Sequence, residues 1–258
     1  DANVAIGASA MNSSTVGYDN VAIGHLAISS MTGNDVYRNV AIGKNAMTGS
    51  SGGGAINCIA IGYQAAYTSS DGGQNNINIG TNSGVYGSGS GASNTFVGMS
   101  SGYGVDGTPI TGANNVGIGK DAAYLLQGAA HSNTFIGTSA GNTTTTGVEN
   151  TILGFNCEAQ DATATNQVVI GNNLNGTKDN AVFIGNASSH IENDFNTDAT
   201  WNHSSDRRQK KNIKDDTLGL NFIKNLRTVT YKHKSPSEFP QEWDAYDVND
   251  TKPMGIKD

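Results

Sequence analysis

The stretch NVAIGKNAM, residues 39–47, belongs to a motif that recurs along the first 185 residues of the chain. Its first five letters stand unchanged at residues 3–7, 20–24 and 39–43, and eight looser copies follow. Successive copies are 14 to 21 residues apart, most often 17 to 19. The eleven copies close on Gly7, Gly24, Gly43, Gly62, Gly80, Gly98, Gly119, Gly137, Gly154, Gly171 and Gly185. Repetition at a period of this length is typical of solenoid proteins.

The unit can be written Asn-x-Val-x-Ile-Gly-x-x-Ala, and its alternating β-branched residues, such as Val40 and Ile42, predict a short strand with one apolar face. Glycine then permits a bend, and Ser/Thr/Asn/Gly-rich stretches supply turns of varying length. A unit this short cannot bury its apolar residues alone, so units must stack as coils. The repeat therefore predicts a mainly β protein, a parallel β-solenoid of about eleven coils and about 50 Å in length. The opening asparagines are expected to form hydrogen-bonded ladders.

Two stretches in the repeat imitate an esterase motif. GMSSG and GTSAG place Ser100 and Ser139 in the pattern Gly-x-Ser-x-Gly. Both begin on a recurring glycine and share the register of GKNAM, so we interpret them as ordinary coil positions. Cys58 and Cys157 lie five coils apart, about 24 Å, which predicts free thiols within one chain.

No cofactor and no metal site is predicted. The five histidines are scattered without the spacing of metal ligands. The stretch DFNTD, residues 194–198, offers the first three oxygen positions of a calcium loop but lacks its glycine and its distant glutamate.

Charge divides the chain near residue 204. Residues 1–204 hold four Lys/Arg and thirteen Asp/Glu, a net charge of -9, whereas residues 205–258 hold eleven and nine, a net charge of +2. The long acidic part argues against nucleic-acid binding, which needs clustered cations. No apolar run is long enough for a membrane span, so membrane insertion is not expected.

The repeat resembles the head repeat of trimeric autotransporter adhesins, on the motif Asn then Val-x-Ile-Gly then a small residue over residues 3–185. The resemblance implies a left-handed β-roll, a homotrimer and loops that bind a surface. Extra residues beyond the family's shorter coil are expected to bulge out as loops.

Residues 186–204 break the repeat and are predicted to form a neck. Beyond it, residues 205–258 are predicted to form a partial α+β domain. Asp215, Asp216 and Thr217 are a helix-start signal. Four apolar residues then share one helical face, and VTYKHK, residues 229–234, alternates as a strand. The four are Leu218, Phe222, Ile223 and Leu226.

The junction SSDRRQKKNI, residues 204–213, closely resembles the C-terminal intramolecular chaperone domain of phage endosialidases, tail fibres and neck appendages. The family's motif Ser-Asp-x-Arg-x-Lys is met by Ser205, Asp206, Arg208 and Lys210. The resemblance implies a domain that assembles three chains and then cuts itself off between Ser204 and Ser205. It makes Ser205 the nucleophile and Lys210 its base.

The residues themselves are compatible with this chemistry. A serine hydroxyl needs a nearby base, and a neutral lysine can serve when burial or neighbouring cations lower its pKa. Ser205 and Lys210 would lie about 140° apart on an ideal helix, so a turn or a neighbouring chain must bring them together. Cleavage would then depend on correct folding. The 54 residues after the junction are about half of the family's domain, so we expect either a truncated, inactive copy or an uncleaved precursor.

Together these features predict a homotrimeric fibre or appendage of a phage virion that attaches to a glycan or protein receptor on the host surface. The one enzymatic activity predicted for it is the cleavage of its own chain. A bacterial trimeric surface adhesin is the first alternative. A polysaccharide depolymerase is the second, and it would need clustered carboxylates, whereas the acids of residues 1–204 stand mostly alone.

Overall fold

The computed structural model describes residues 2–12, 17–30, 36–49, 54–68, 73–87, 91–197 and 233–252. The chain divides into two compact units, residues 1–199 and residues 200–258. The first unit contains all the strands described below.

In the ranges that the structure describes, the first unit contains fourteen short strands. Twelve form one sheet in the order β1-β3-β5-β6-β7-β8-β9-β10-β11-β12-β13-β14, and β2 pairs with β4 in a second, two-stranded sheet. The strands are β1 (Val4–Ile6), β2 (Gly17–Tyr18), β3 (Val21–Ile23), β4 (Val36–Tyr37), β5 (Val40–Ile42), β6 (Ile59–Ile61), β7 (Ile77–Ile79), β8 (Thr95–Val97), β9 (Val116–Ile118), β10 (Thr134–Ile136), β11 (Thr151–Phe155), β12 (Gln167–Asn172), β13 (Ala181–Asn186) and β14 (Ser189–Asp194).

Each copy of the motif supplies one rung of the large sheet, and equivalent positions lie side by side. In the pair β3 and β5, for example, Ala22 is opposite Ala41 and Ile23 is opposite Ile42. All rungs from β1 to β13 pair in parallel. The predicted parallel β-solenoid is therefore confirmed.

The recurring glycines stack directly on one another. Gly62 has a φ of +138°, a conformation that side-chain-bearing residues rarely adopt. A Cβ atom added to it would lie 2.5 Å from the carbonyl oxygen of Gly80 on the next coil. Glycine is required here for two reasons, because the bend needs a positive φ and the coils approach too closely for any side chain.

The opening asparagines form the predicted ladders. The side-chain oxygen of Asn20 accepts hydrogen bonds from the backbone N and the Nδ2 of Asn39, at 3.0 and 3.1 Å. Cys58 ends this first ladder, since it has no amide to continue it. A second ladder runs from Asn76 through Asn94, Asn115, Asn133 and Asn150 to Gln167. Most of these amides are buried, so the ladders satisfy backbone groups that water cannot reach.

The interior of the solenoid is filled by the middle residue of each strand, not by the β-branched residues on either side of it. Ala41, Phe135 and Val169 are fully buried middle residues. The residue four positions after the recurring glycine also lies in the core, and in some coils its size complements that of the middle residue. Met47 faces the side of the core that Ala41 leaves open, whereas Gly141 lies against the ring of Phe135.

The large sheet ends in a hairpin. β14 pairs antiparallel with β13, placing Phe183 opposite Glu192. Lys178 forms ion pairs with two residues of β14. Its Nζ lies 3.3 Å from a carboxylate oxygen of Glu192 and 3.7 Å from one of Asp194. The first part of the segment predicted as a neck, residues 186–204, thus continues the sheet with a reversed strand direction.

Residues 233–252 are the described part of the second unit. They contain a short 3-10 helix, Pro236–Glu238, whose first turn is closed by the backbone N of Ser235 donating to the Glu238 carboxylate at 3.2 Å. Phe239 and Trp243 pack with ring centroids 5.6 Å apart. The predicted helix at residues 217–226 and most of the predicted strand at 229–234 lie outside the described residues, and His233 and Lys234 are irregular. In the described ranges no helix has the length and apolar character needed to cross a bilayer.

Candidate functional site

The predicted self-cleavage site falls on residues that the structure does not describe. Ser204, Ser205, Asp206, Arg208 and Lys210 all lie between residues 198 and 232, outside the described ranges. The assignment of Ser205 as nucleophile and Lys210 as base stays a prediction from the sequence.

The outer face of the large sheet carries a continuous row of aliphatic side chains. The residue before each recurring glycine points out of the coil and is at least partly exposed, with Ile6 at 57% and Ile118 at 39%. Eleven rungs at about 4.8 Å make a row of about 48 Å. We call this row the aliphatic column, and it consists of Ile6, Ile23, Ile42, Ile61, Ile79, Val97, Ile118, Ile136, Leu153, Ile170 and Ile184. A contiguous exposed apolar row is a feature typical of surfaces where proteins interact.

A second surface feature is a row of three tyrosines on successive coils, Tyr86, Tyr103 and Tyr124, which we call the tyrosine strip. The backbone N of Tyr86 donates to the carbonyl of Tyr103 at 2.9 Å, which sets the two coils in register. The rings of Tyr103 and Tyr124 stack with centroids 5.1 Å apart and planes 9° apart. Tyr86 meets Tyr103 edge-on, at 5.4 Å and 84°. All three side chains are partly exposed.

A small hairpin stands beside the strip. Residues 105–108 turn back on themselves, with the backbone N of Thr108 donating to the carbonyl of Val105 at 3.1 Å and a φ of +81° at Gly107. Asp106, Gly107 and Thr108 are exposed at its tip. Thr108 also donates its hydroxyl to the side-chain oxygen of Gln127 at 2.6 Å, which links the hairpin to the next coil.

Sequence reasoning did not identify the tyrosine strip. The signal was present, since Gly98 and Gly119 enclose the longest spacing in the repeat, 21 residues, and the hairpin is the additional length. Tyr103 and Tyr124 also share one position, five residues after a recurring glycine. The stacking could not be inferred before the register of the coils was known.

The esterase-like serines occupy equivalent corner positions in two coils. Ser100 and Ser139 have φ values of +56° and +55°, and their backbone N atoms donate to carbonyls of the preceding coil at 2.9 and 2.8 Å. They stand in the same column as Asn45 and Asn82, which have φ values of +58° and +57°. This agrees with their interpretation as ordinary coil positions.

Two groups in the core have altered acidity. Burial raises the pKa of the Cys58 thiol, and both Cys58 and Cys157 are free and buried. Burial also raises the pKa of Glu158, which is only 9% exposed. Its carboxylate accepts hydrogen bonds from the backbone N of Asn142 at 3.0 Å and from the hydroxyl of Thr143 at 2.9 Å. These bonds lower its pKa, but by less than burial raises it.

Within the described ranges, no three His, Cys, Asp or Glu side chains come close enough to hold a metal ion. In the stretch DFNTD, Asp194 accepts a hydrogen bond from the backbone N of Asn196 at 2.9 Å. That bond is the main reason why the pKa of Asp194 is lowered.

Comparison with known proteins gave one result. The family model described as the chaperone of endosialidase matches residues 205–249, less than a fifth of the chain. No curated protein and no solved structure matched the chain. A chaperone-of-endosialidase segment thus follows the β-solenoid, a combination that fits a tail-fibre-like protein.

Proposed function

We propose that this chain forms part of a homotrimeric bacteriophage tail fibre or appendage that attaches the virion to a receptor on the host surface. We further propose that the segment from Ser205 onwards assists assembly of the trimer and is then cut off. The observation that carries the proposal is the order of the two parts, a β-solenoid with an exposed aliphatic column directly followed by the chaperone-of-endosialidase match at residues 205–249.

The aliphatic column supports the homotrimer. A monomer in water would leave eleven aliphatic side chains in contact with solvent along one face. Burying them against equivalent rows of two other copies removes that apolar area from water, which stabilises the assembly by about 25 cal/mol for each Å². Because every coil repeats the same outward Ile, Leu or Val, the rows match in pitch along their length.

The cleavage is proposed to follow Ser-Lys chemistry. The Ser205 hydroxyl attacks the carbonyl carbon of Ser204 while neutral Lys210 takes its proton, and the peptide nitrogen of Ser205 leaves with a proton. The product is an ester between the Ser204 carbonyl and the Ser205 oxygen, which water hydrolyses. The solenoid part of the chain then ends at Ser204, and the released segment begins at Ser205.

A cleavage assay tests the proposed self-cleavage. The chain is expressed without substitutions and as the variant Ser205→Ala, and the products are separated on a denaturing gel. We expect cleavage in the original chain and a single uncleaved band for Ser205→Ala. The matched control is Ser204→Ala, which keeps the nucleophile and should still be cut. Unchanged cleavage of Ser205→Ala would rule out the assigned nucleophile.

A bacterial trimeric surface adhesin remains the second candidate, favoured by the repeat itself. The two candidates differ in where the protein is found. Immunolabelling of intact phage particles and of uninfected bacterial cells with an antibody against the solenoid separates them, since a fibre labels the particle and an adhesin labels the cell.

A further inference from the structure

We infer that the interior of the solenoid binds two water molecules, one on each side of the Asn78 side chain. This site is independent of the proposed attachment function. It lies at the one described parallel rung whose inward side chain is polar. Two positions before the recurring glycine, the other ten rungs have Ala, Phe, Val, Ile or Gly, whereas β7 has Asn78.

The Asn78 amide is buried without a partner from the protein. The residue is 6% exposed, so bulk water does not reach it freely. In the described ranges its side chain forms no hydrogen bond with another residue. A side-chain amide has two N–H donors and an oxygen with two lone pairs, and burying these groups without partners is unfavourable. A ligand that both donates and accepts hydrogen bonds would satisfy them.

Asn78 lines two small cavities in the core, each of about 20 Å³. The room arises because Asn78 is shorter than the Phe found in equivalent coils. A Cβ atom on Gly84 would overlap the Asn78 side chain, just as one on Gly141 would overlap the ring of Phe135. About 10–15 Å³ is enough to hold one water molecule, so each cavity has room for one.

The first cavity is also lined by two members of the second asparagine ladder, Asn76 and Asn94. Deeper in that ladder, the Nδ2 of Asn115 donates two hydrogen bonds and its oxygen accepts two. In the described structure the Nδ2 of Asn94 donates one, at 3.0 Å, and the oxygen of Asn76 accepts one, at 2.8 Å. Together with Asn78, these side chains offer the two to four polar partners that a buried water needs.

The second cavity lies where the ladder is interrupted. Cys58 holds the ladder position there, and its thiol donates to the carbonyl of Gly73 at 3.2 Å. Cys58 has no amide oxygen to accept a bond from the Nδ2 of Asn76, which donates once, to the carbonyl of Gly91 at 2.9 Å. Cys58, Asn76 and Asn78 all line the cavity. A water molecule there takes the place of the missing amide, accepting from Asn76 and bonding to Asn78.

The site coincides with a division of the apolar core. In the described residues one block of core residues runs from Ala22 to Ala66, and a second runs from Phe96 to Phe183. Asn78 lies between these two blocks. The bound waters therefore supply hydrogen bonds at the coil where the two apolar blocks do not meet.

Size and charge favour water over other ligands. A cavity of about 20 Å³ is far below the several hundred Å³ of sites that hold organic molecules. Among the described lining residues none carries a charge, and burying an ion without a charged partner is strongly unfavourable.

The first test is a high-resolution crystal structure of the original chain, with crystals grown in chloride and in bromide. We expect one ordered water in each cavity, about 2.7–3.2 Å from an atom of the Asn78 amide. Fewer than two such waters would overturn the inference. An anomalous bromide peak at either position would overturn water as the ligand.

The second test counts long-lived bound waters in solution by deuterium relaxation dispersion. Asn78→Leu keeps the approximate size of the side chain but removes its polar atoms, so we expect it to hold two fewer waters than the original chain. Asn172→Leu makes the same change at an exposed position of β12 and should leave the number unchanged. Circular dichroism shows whether each variant is folded. An undiminished number in folded Asn78→Leu would overturn the role of Asn78, and if that variant does not fold, the crystal structure of the original chain decides.

Discussion

Gly141 shows how the core of the solenoid is fitted residue by residue. It stands four positions after a recurring glycine, where other coils have Ile28 or Met47. Those residues adopt φ values of +46° and +52°, so the backbone there, +59° at Gly141, does not itself demand glycine. The demand comes from Phe135, whose ring atoms would lie 2.8 Å from a Cβ atom on Gly141.

We therefore predict that Gly141→Ala lowers the free energy of unfolding by about 1–3 kcal/mol, the usual cost of overpacking a core. Urea denaturation followed by circular dichroism measures the loss. The double variant Phe135→Ala with Gly141→Met reproduces the pairing of Ala41 with Met47. It should be more stable than Phe135→Ala alone, which leaves a cavity costing about 3–5 kcal/mol. Equal stability of these two variants would contradict the size compensation.

Glu158 is expected to make stability depend on pH. Burial raises its pKa in the folded chain above the ordinary value of 4.5. Between these two values the folded chain holds more protons than the unfolded chain, so the free energy of unfolding falls as the pH rises. Glu158→Gln cannot ionise and should lose this contribution.

The measurement is the free energy of unfolding of both proteins from pH 4.5 upwards. We expect the stability of the original chain relative to Glu158→Gln to decrease as the pH rises through the folded pKa. Two parallel curves would show that the buried carboxylate does not titrate as the structure implies. Glu149→Gln is a suitable control, since that side chain is exposed on the surface of the solenoid.

At the scale of the element, the second asparagine ladder joins successive coils through buried side-chain hydrogen bonds. Asn115 donates its Nδ2 to the side-chain oxygen of Asn94 at 3.0 Å and to the carbonyl of Ala130 at 2.8 Å. Its own side-chain oxygen accepts from the backbone N and the Nδ2 of Asn133, at 3.2 and 3.0 Å.

We predict that Asn115→Ala destabilises the solenoid by about 3 kcal/mol, because several buried polar groups lose their partners at once. Asn3→Ala is the matched control, since Asn3 stands at the exposed start of the first ladder and water can replace its bonds. Its cost should be less than about 1 kcal/mol. Both are measured by thermal unfolding, and similar losses for the two variants would argue against the role of burial.

The strand, the glycine bend and the ladder could all be predicted from the sequence, because each follows from a residue type that recurs at one position. The inward face of the strands could not. Both faces are largely apolar, with Ile42 outside and Ala41 inside, so alternation alone does not tell which one lies in the core. The hairpin of β13 and β14 was also not predicted, since Ser189–Asp194 does not repeat the motif.

For the candidate site, the sequence indicated the junction chemistry at Ser205 and Lys210 but not the tyrosine strip. The junction motif is contiguous in the chain, so it can be recognised without a fold. The strip depends on contacts between residues 17 to 21 positions apart, and these positions become neighbours only when the coils stack.

At the scale of the whole molecule, the solenoid gains its stability from contacts between adjacent coils, as repeat proteins do. Such a stack has no need of a closed, globular core, and it can expose one regular face along its entire length. The aliphatic column is that face, and its regularity makes it suited to meet other copies of the same chain.

The final prediction concerns this face. Ile136 belongs to the aliphatic column and is 36% exposed in a single chain, so Ile136→Asp should cost the monomer less than about 1 kcal/mol. In a homotrimer the same change buries a carboxylate against two other copies, which is strongly unfavourable. We therefore expect sedimentation velocity to find trimers for the original chain and monomers with unchanged circular dichroism for Ile136→Asp. Thr146→Asp adds the same charge at an exposed position between β10 and β11, outside the aliphatic column, and this variant should remain trimeric. A trimer of undiminished stability for Ile136→Asp, or a monomeric original chain, would show that the column does not hold three copies together.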